Sequence, residues 1–265
     1  MTGIFDSGFG GLSVLREIVK VLPDESYIYY ADSAHCPYGE KSREYVIDRA
    51  ISITEILRGK GADIIVVACN TATAAAISAL REKWPEVPFV GMEPAVKPAA
   101  LNTRSGVIGV LATAGTLKGS KYLDLREKYS GKVKVVEHVG QGFVELVEKG
   151  ILDGPEAENT VRASVQPLLY AGADTIVLGC THYPFLEKII RKAAGPDVEI
   201  IDPAPAVAAQ VLRLHKKASG TPGIEVLSSK ADIDSAMIYR LLAKNSETID
   251  EHSSERIPSV TVVRG

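Results

Sequence analysis

The stretch Gly61-Ala-Asp-Ile-Ile-Val-Val-Ala-Cys-Asn-Thr71 recurs as Gly172-Ala-Asp-Thr-Ile-Val-Leu-Gly-Cys-Thr-His182, with six of eleven positions identical. In each copy a short unbroken apolar run rich in Val and Ile predicts a strand buried on both faces, the kind found in a parallel sheet covered by helices. Each run ends on a cysteine, small or hydroxylic residues follow, and helical patterns open over 73–83 and 184–194. Both thiols therefore belong where a strand gives way to a helix, which is where open α/β sheets place their ligands. A single buried cysteine needs no function, because free Cys is among the most buried residue types. A thiol at the same point of both copies is harder to assign to packing, so Cys69 and Cys180 lead the candidates for chemistry.

At 265 residues the chain is long enough for one large domain or two of ordinary size, and the repeat favours two. The formal charge is −3 with acidic and basic residues mixed throughout, so there is no basic stripe to track a phosphate backbone and no nucleic-acid partner is expected. No apolar run reaches bilayer-spanning length, and Ile4-Phe5-Asp6 is reached without a charged leader and apolar signal core. A cytoplasmic protein without membrane association is expected. The three cysteines, Cys36, Cys69 and Cys180, are odd in number and form no Cys-x-x-Cys pair, which predicts reduced thiols rather than a disulfide framework.

Working outward to the N-terminus, 2–6 reads as a first strand. Ser7-Gly8-Phe9-Gly10-Gly11 then turns into a helix over 12–21 with Leu12, Leu15, Ile18, Val19 and Leu22 on one stripe. Such a turn exposes backbone N–H groups that suit an anion. The spacing lacks the third glycine of a dinucleotide fingerprint and no P-loop Lys follows, so a carboxylate is the expected anion; a tight turn that simply needs glycine reads equally well. A second strand over 26–31 leads into the loop Asp32-Ser-Ala-His-Cys-Pro-Tyr-Gly39. His35 and Cys36, with Cys69, Cys180 and His182, could supply zinc ligands on paper, but their spacings fit none of the short zinc-ligand pairs, and no metal is expected. A helix over 42–60 feeds the Cys69 strand, and Phe89-Val-Gly91 with Glu93-Pro-Ala95 closes the first half.

A polar link over 99–105 precedes a restart. The strand 106–111 and the turn Ala112-Thr-Ala-Gly-Thr-Leu117 into a helix echo the first strand and its turn, which puts Thr113 where Ser7 sits. A strand over 132–137, a helical start over 143–148 closed by Gly150, and a helix over 157–170 lead to the Cys180 strand; Glu199-Ile-Ile-Asp202 closes the second half. Helices over 204–217 and 231–244 and strands over 223–228 and 257–263 are too few to fold alone, so the tail should complete the first domain. The expected division is 1–97 plus 206–265, and 98–205.

Phe5-Asp-Ser-Gly-Phe-Gly-Gly11, Asp32-Ser33 with Pro37-Tyr-Gly39, Ala68-Cys-Asn-Thr-Ala72, Gly91 with Glu93-Pro-Ala95, and Gly179-Cys-Thr-His-Tyr-Pro184 together resemble the glutamate racemases of the aspartate/glutamate racemase superfamily. The resemblance spans about 3–205, in the family's order. It implies two flavodoxin-like parallel-sheet α/β domains related by a pseudo-twofold, with the active site in the cleft between them. It further implies that Cys69 and Cys180 are the acid/base thiols, that Asp6 and His182 assist them, and that Glu148 lies nearby, with Glu145 the alternative. Asp6, Ser7, Tyr38, Gly39, Asn70, Thr71, Thr181 and His182 match positions that bind the amino acid, and Thr113 and Thr116 match contacts to a carboxylate. A homodimer, no cofactor, and D-glutamate supply for peptidoglycan synthesis are implied as well. Relatives activated by a peptidoglycan precursor carry an extension before the first strand; without one here, that regulation is not expected.

The chemistry fits two thiols. Racemisation removes the Cα proton from one face and returns one to the other, so two bases on opposite sides are needed, and a pseudo-twofold supplies them. A thiol must be partly ionised to act, and a following helix N-terminus is expected to lower its pKa. Two other classes remain open from the residues alone. A Cys180–His182 hydrolase would leave Cys69 and the repeat without a purpose, and a binding protein would keep the cleft without the chemistry.

Overall fold

The computed structural model describes residues 1–216, 221–231, 234–243 and 259–264. The first half runs β1 (Thr2–Asp6), α1 (Leu12–Val21), β2 (Ser26–Ala31), α2 (Arg43–Gly59), β3 (Ile64–Val67), α3 (Asn70–Lys83) and β4 (Phe89–Gly91). Next come α4 (Val96–Asn102), β5 (Val107–Ala112), α5 (Ala114–Leu117), α6 (Ser120–Ser130), β6 (Lys134–Val139), α7 (Phe143–Glu148), α8 (Gly154–Tyr170), β7 (Thr175–Gly179), α9 (Glu187–Ala194) and β8 (Glu199–Ile201). The tail supplies α10 (Ala204–Leu214), β9 (Gly223–Ser228), α11 (Ser235–Leu242) and β10 (Val260–Arg264).

All strand pairs are parallel, in two sheets ordered β10-β9-β2-β1-β3-β4 and β6-β5-β7-β8. The cores β2-β1-β3-β4 and β6-β5-β7-β8 have the same order, so the duplicated sequence folds into duplicated topology. β9 pairs with β2 in the first sheet, and α10 lies along α1. The chain is thus built of two parallel-sheet α/β domains.

The unbroken apolar runs are explained by helices on both faces. In β3, Ile64 and Val66 pack with Leu12, Leu15 and Ile18 of α1 and Val207 and Val211 of α10, while Ile65 and Val67 face Val46, Ile53 and Leu57 of α2 and Leu80 of α3. In β7, Ile176 and Leu178 join the core of α8 and α9, and Val177 joins that of α4 and α6. Each such side chain, fully buried, contributes about 1.5–3 kcal/mol of transfer free energy.

Several expected boundaries shift. The polar link expected over 99–105 overlaps α4, whose Val96 and Ala99 are buried against the second sheet's core. α3 starts at Asn70 rather than 73, with the Cys69 sulfur accepting from the Ala72 N–H as its N-cap. The helical pattern 184–194 divides into a 3₁₀ turn, Tyr183–Leu186, followed by α9. The turn expected over 112–117 leads into a helix in two pieces, the short α5 and then α6. Parts of three expected tail elements, at 217, 232–233, 244 and 257–258, lie outside the described residues. Among the described residues, no helix is long and apolar enough to cross a membrane.

Candidate active site

The order β2-β1-β3 places a switch point between β1 and β3, and the order β6-β5-β7 places its equivalent between β5 and β7. Ser7 follows β1 and Cys69 follows β3; Thr113 follows β5 and Cys180 follows β7. All four line one cleft, with Pro37, Tyr38, Gly39, Asn70, Thr71, Thr116, Val144, Thr181 and His182. Thus every residue expected to touch the amino acid lines the cleft except Asp6, which with Glu148 stands behind the wall. Pro37 and Val144 also line it and were not among the expected site residues.

On the first-half side, Cys69 is 5 % exposed. Its Sγ receives the Ala72 N–H at 3.4 Å and lies 3.7 Å from Ser7 Oγ. Burial, seconded by the charge of Asp6, pushes the thiol up to about 12, against those two hydrogen bonds. The expectation that the start of α3 would lower this thiol is therefore corrected: one N–H donor does not offset loss of solvent and a neighbouring carboxylate. Asp6 is wholly buried. Its Oδ1 accepts from the Gly8 N–H at 3.0 Å and its Oδ2 from Thr181 Oγ1 at 3.0 Å, and desolvation still raises its pKa above the ordinary carboxylate value, though the nearby His182 opposes the shift.

On the second-half side, His182 is 1 % exposed. Its Nδ1 faces Cys180 Sγ at 3.7 Å and its Nε2 faces Glu148 Oε1 at 2.7 Å. Burial alone would depress the imidazole; hydrogen bonding to Cys180, Cys36 and Glu148 outweighs it and holds His182 well above its ordinary range. Glu148 Oε1 also accepts from the Phe9 N–H at 2.7 Å, whereas Glu145 is exposed, so Glu148 is the carboxylate at the site. The anion expected at the glycine-rich turn is a carboxylate, but it belongs to the protein: the turn's amides hold Asp6 and Glu148. Glycine keeps this packing in place: a Cβ at Gly10 would sit 2.3 Å from His182 Nδ1 in the buried ring, and one at Gly8, 2.2 Å from Glu148 Oε1, would displace that carboxylate.

Cys36 falls outside the duplicated strands, yet the fold brings its sulfur to within 4.8 Å of the His182 and Glu148 ligand atoms. Its thiol is raised by burial, against hydrogen bonding by His182. It does not line the cleft.

Two features mark where a ligand would fit. Thr71, Thr113 and Thr116 form a hydroxyl triangle, with Oγ1 separations of 3.0, 3.4 and 3.0 Å. Both polar atoms of the buried Asn70 side chain lack a hydrogen-bond partner, a cost of about 1–3 kcal/mol per group that a polar ligand would remove. Tyr38 is fixed from behind, donating its hydroxyl to Asp32, which Arg49 grips with Nε at 2.9 Å and Nη2 at 2.7 Å. The cleft itself holds only about 10 Å³, roughly one water-sized sphere.

The family model described as Asp/Glu/Hydantoin racemase matches residues 7–211. The chain is 54 % identical over 212 residues to a glutamate racemase of Ectopseudomonas mendocina, covering 80 % of this chain and 81 % of that protein. It is 50 % identical to one of Methylococcus capsulatus, covering 88 % of each. Among solved structures, Escherichia coli glutamate racemase in complex with L-glutamate and the activator UDP-MurNAc-Ala superposes with a TM-score of 0.82 at 33 % identity, over 91 % of this chain and 94 % of that one. A Bacillus anthracis glutamate racemase gives 0.80 at 32 % identity, over 99 % and 97 %. The matching domains, the paired cysteines and these relatives lead to one assignment: the chain belongs to the Asp/Glu/Hydantoin racemase family.

Proposed function

We infer that this protein is a glutamate racemase, an isomerase interconverting L- and D-glutamate. The observation that carries the reading is that two thiols, each at the end of the equivalent strand of its half, line one cleft beside a hydroxyl triangle and an unpaired amide. Cys69 and Cys180 act as the two bases. One thiolate removes the Cα proton from one face, and the opposite thiol gives its proton to the carbanion from the other, so the thiol and thiolate roles are exchanged when product leaves. Asp6 assists on the Cys69 side, and His182, held by Glu148, on the Cys180 side. Thr71, Thr113, Thr116 and Thr181 with Asn70, Ser7, Tyr38 and Gly39 bind the substrate's charged ends. Hydroxyls and backbone amides supply the electrostatic stabilisation that proton loss requires, without a cofactor.

A Cys180–His182 hydrolase would also use the 3.7 Å thiol–imidazole contact, but it leaves Cys69 facing the same cleft without a role. The wider reading is an enzyme of the cytoplasm, acting as a homodimer and supplying D-glutamate for the cell wall. The domains are divided as 1–97 with 206–265, and 98–205.

The test is circular dichroism of L-glutamate incubated with the protein in heavy water. The signal should decay to zero, as it should from D-glutamate, with solvent deuterium on the product enantiomer and early unreacted substrate still protiated. The accepting thiol keeps the abstracted proton on one face while the exchanged thiol delivers deuterium on the other. Equal early labelling of both enantiomers would point to a single base and overturn the mechanism.

A further inference from the structure

Cys36 is the one cysteine the racemisation reading does not use. Among the described residues, Cys36, His182 and Glu148 are the one group of three donors close enough to hold a metal ion, with their ligand atoms all within 4.8 Å of one another. The cluster forms a wall between two spaces. His182 lines the substrate cleft, while Cys36 and Glu148 line a separate cavity of about 220 Å³ bounded also by Phe9, Lys230, Asp234 and Met237. An ion could therefore reach the donors from the side away from the substrate.

The donor set is selective. Sulfur and imidazole nitrogen with one carboxylate oxygen suit zinc, whereas magnesium and calcium require oxygen shells. A thiolate and a carboxylate together match the ion's two positive charges, so the occupied site is neutral, as a buried site demands. Three protein ligands leave a fourth position open to the cavity. Ligands around zinc stand roughly 3.3–3.6 Å apart, given Zn–S of about 2.3 Å and Zn–N or Zn–O of about 2.0 Å. The 2.7 Å contact between His182 Nε2 and Glu148 Oε1 must then open by about 0.6 Å, and Cys36 Sγ, which lies within 4.8 Å of both, must settle into the same range. Glu148 can make that movement because its side chain is 19 % exposed.

We propose that Cys36, His182 and Glu148 form an inhibitory site for a thiophilic divalent cation of the zinc class. Binding releases the thiol proton and any proton shared between His182 and Glu148. The ion occupies the imidazole nitrogen that faces Glu148, so the ring's one proton stays on the Nδ1 that faces Cys180, and His182 can no longer accept a proton from that thiol. This inhibitory effect rests on the reading of His182 as the partner of Cys180.

The experiment uses the full chain with reduced thiols, freed of metal. Titration with Co2+ reads the site directly through a thiolate-to-cobalt charge-transfer band, and Zn2+ is added to the dichroism assay in parallel. One equivalent of Co2+ should produce the band, and Zn2+ should lower racemisation at least tenfold, with chelation restoring it. Cys36→Ser, or Cys36→Ala if the serine variant fails to fold, should keep most of the metal-free rate and lose the band. Its inhibition midpoint should rise by at least about a hundredfold, more than the usual loss of an outer-shell partner. An undiminished band and midpoint in the Cys36 variants would put the ion on Cys69 or Cys180 and overturn the site. A Cys36-dependent band without inhibition would overturn the inhibitory role. A parent that shows the Cys36-dependent band but never racemises glutamate would sink the racemase reading and leave the site standing.

Discussion

The two thiol settings share strand, position and topology but differ in equipment. Cys69 caps its helix, sits among Ser7, the Ala72 amide and the charge of Asp6, and is held as a neutral thiol. Cys180 is followed by a 3₁₀ turn rather than a full helix, and carries an imidazole backed by a carboxylate. In the proposed mechanism duplication supplies the two bases, and divergence gives each thiol its own polar neighbours. Positions equivalent in the fold are not equivalent in their hydrogen-bond partners.

Removing the thiols is the harshest test of this difference. Cys69→Ala and Cys180→Ala should each cut racemisation in both directions by about 10²–10⁴-fold. In each single variant, exchange of the Cα proton with solvent should persist at only one enantiomer, and the two variants should retain opposite ones. A folded Cys180→Ala protein racemising at near the parent rate would break the pairing.

The next effect separates the sides. Glu148→Gln should lower turnover about tenfold to a hundredfold by loosening His182, with a larger effect on the direction in which Cys180 takes the proton. Stability should follow a defined sign. His182 is held above its unfolded-state value of about 6.5, so its contribution is complete below that pH and lost as pH rises through the raised folded value. Thermal unfolding should therefore show the variant most destabilised near pH 6, with the gap narrowing in alkali. A gap that widened in alkali would mean Glu148 does not support the charged imidazole.

Substrate contacts should move less. Thr116→Val removes one corner of the hydroxyl triangle and should raise KM for glutamate about tenfold with a smaller change in kcat. Aspartate, a methylene shorter, should be turned over far more slowly than glutamate in the parent, because a buried carboxylate partner is left unmet. The smallest change is expected for Cys36→Ser without metal, whose initial rate should stay within about twofold of the parent, since the thiol does not line the cleft and a serine hydroxyl can replace its hydrogen bond to His182.

Repetition made β3, β7 and their cysteines legible, because a strand buried on both faces leaves an apolar run that survives duplication. The same logic matched Thr113 to Ser7. α4 was obscured by Lys97-Pro98 and a polar C-terminal end, although Val96 and Ala99 reach the core. α6 carries Lys, Asp, Arg and Glu around a few buried aromatics, leaving little stripe to read. Longer-range facts had no local signal. The hydrogen bond from Phe9 to Glu148 joins residues 139 positions apart, and the approach of Cys36 to His182 depends on how the loop after β2 crosses the second half. The thiol pKa failed for a related reason: helix starts are visible in sequence, but the depth of burial beside Asp6 is not.

The glycine turn of the first half is the seat of the second half's His182–Glu148 pair, with no room for a side chain at Gly8 or Gly10. Neither half can therefore drift independently through evolution. A methyl group gained at either glycine must be answered by a change at His182 or Glu148, so across homologous sequences these four positions should covary despite lying in separate copies of the repeat. The two copies of the repeat are tied to one another through a turn too narrow for a single added carbon atom.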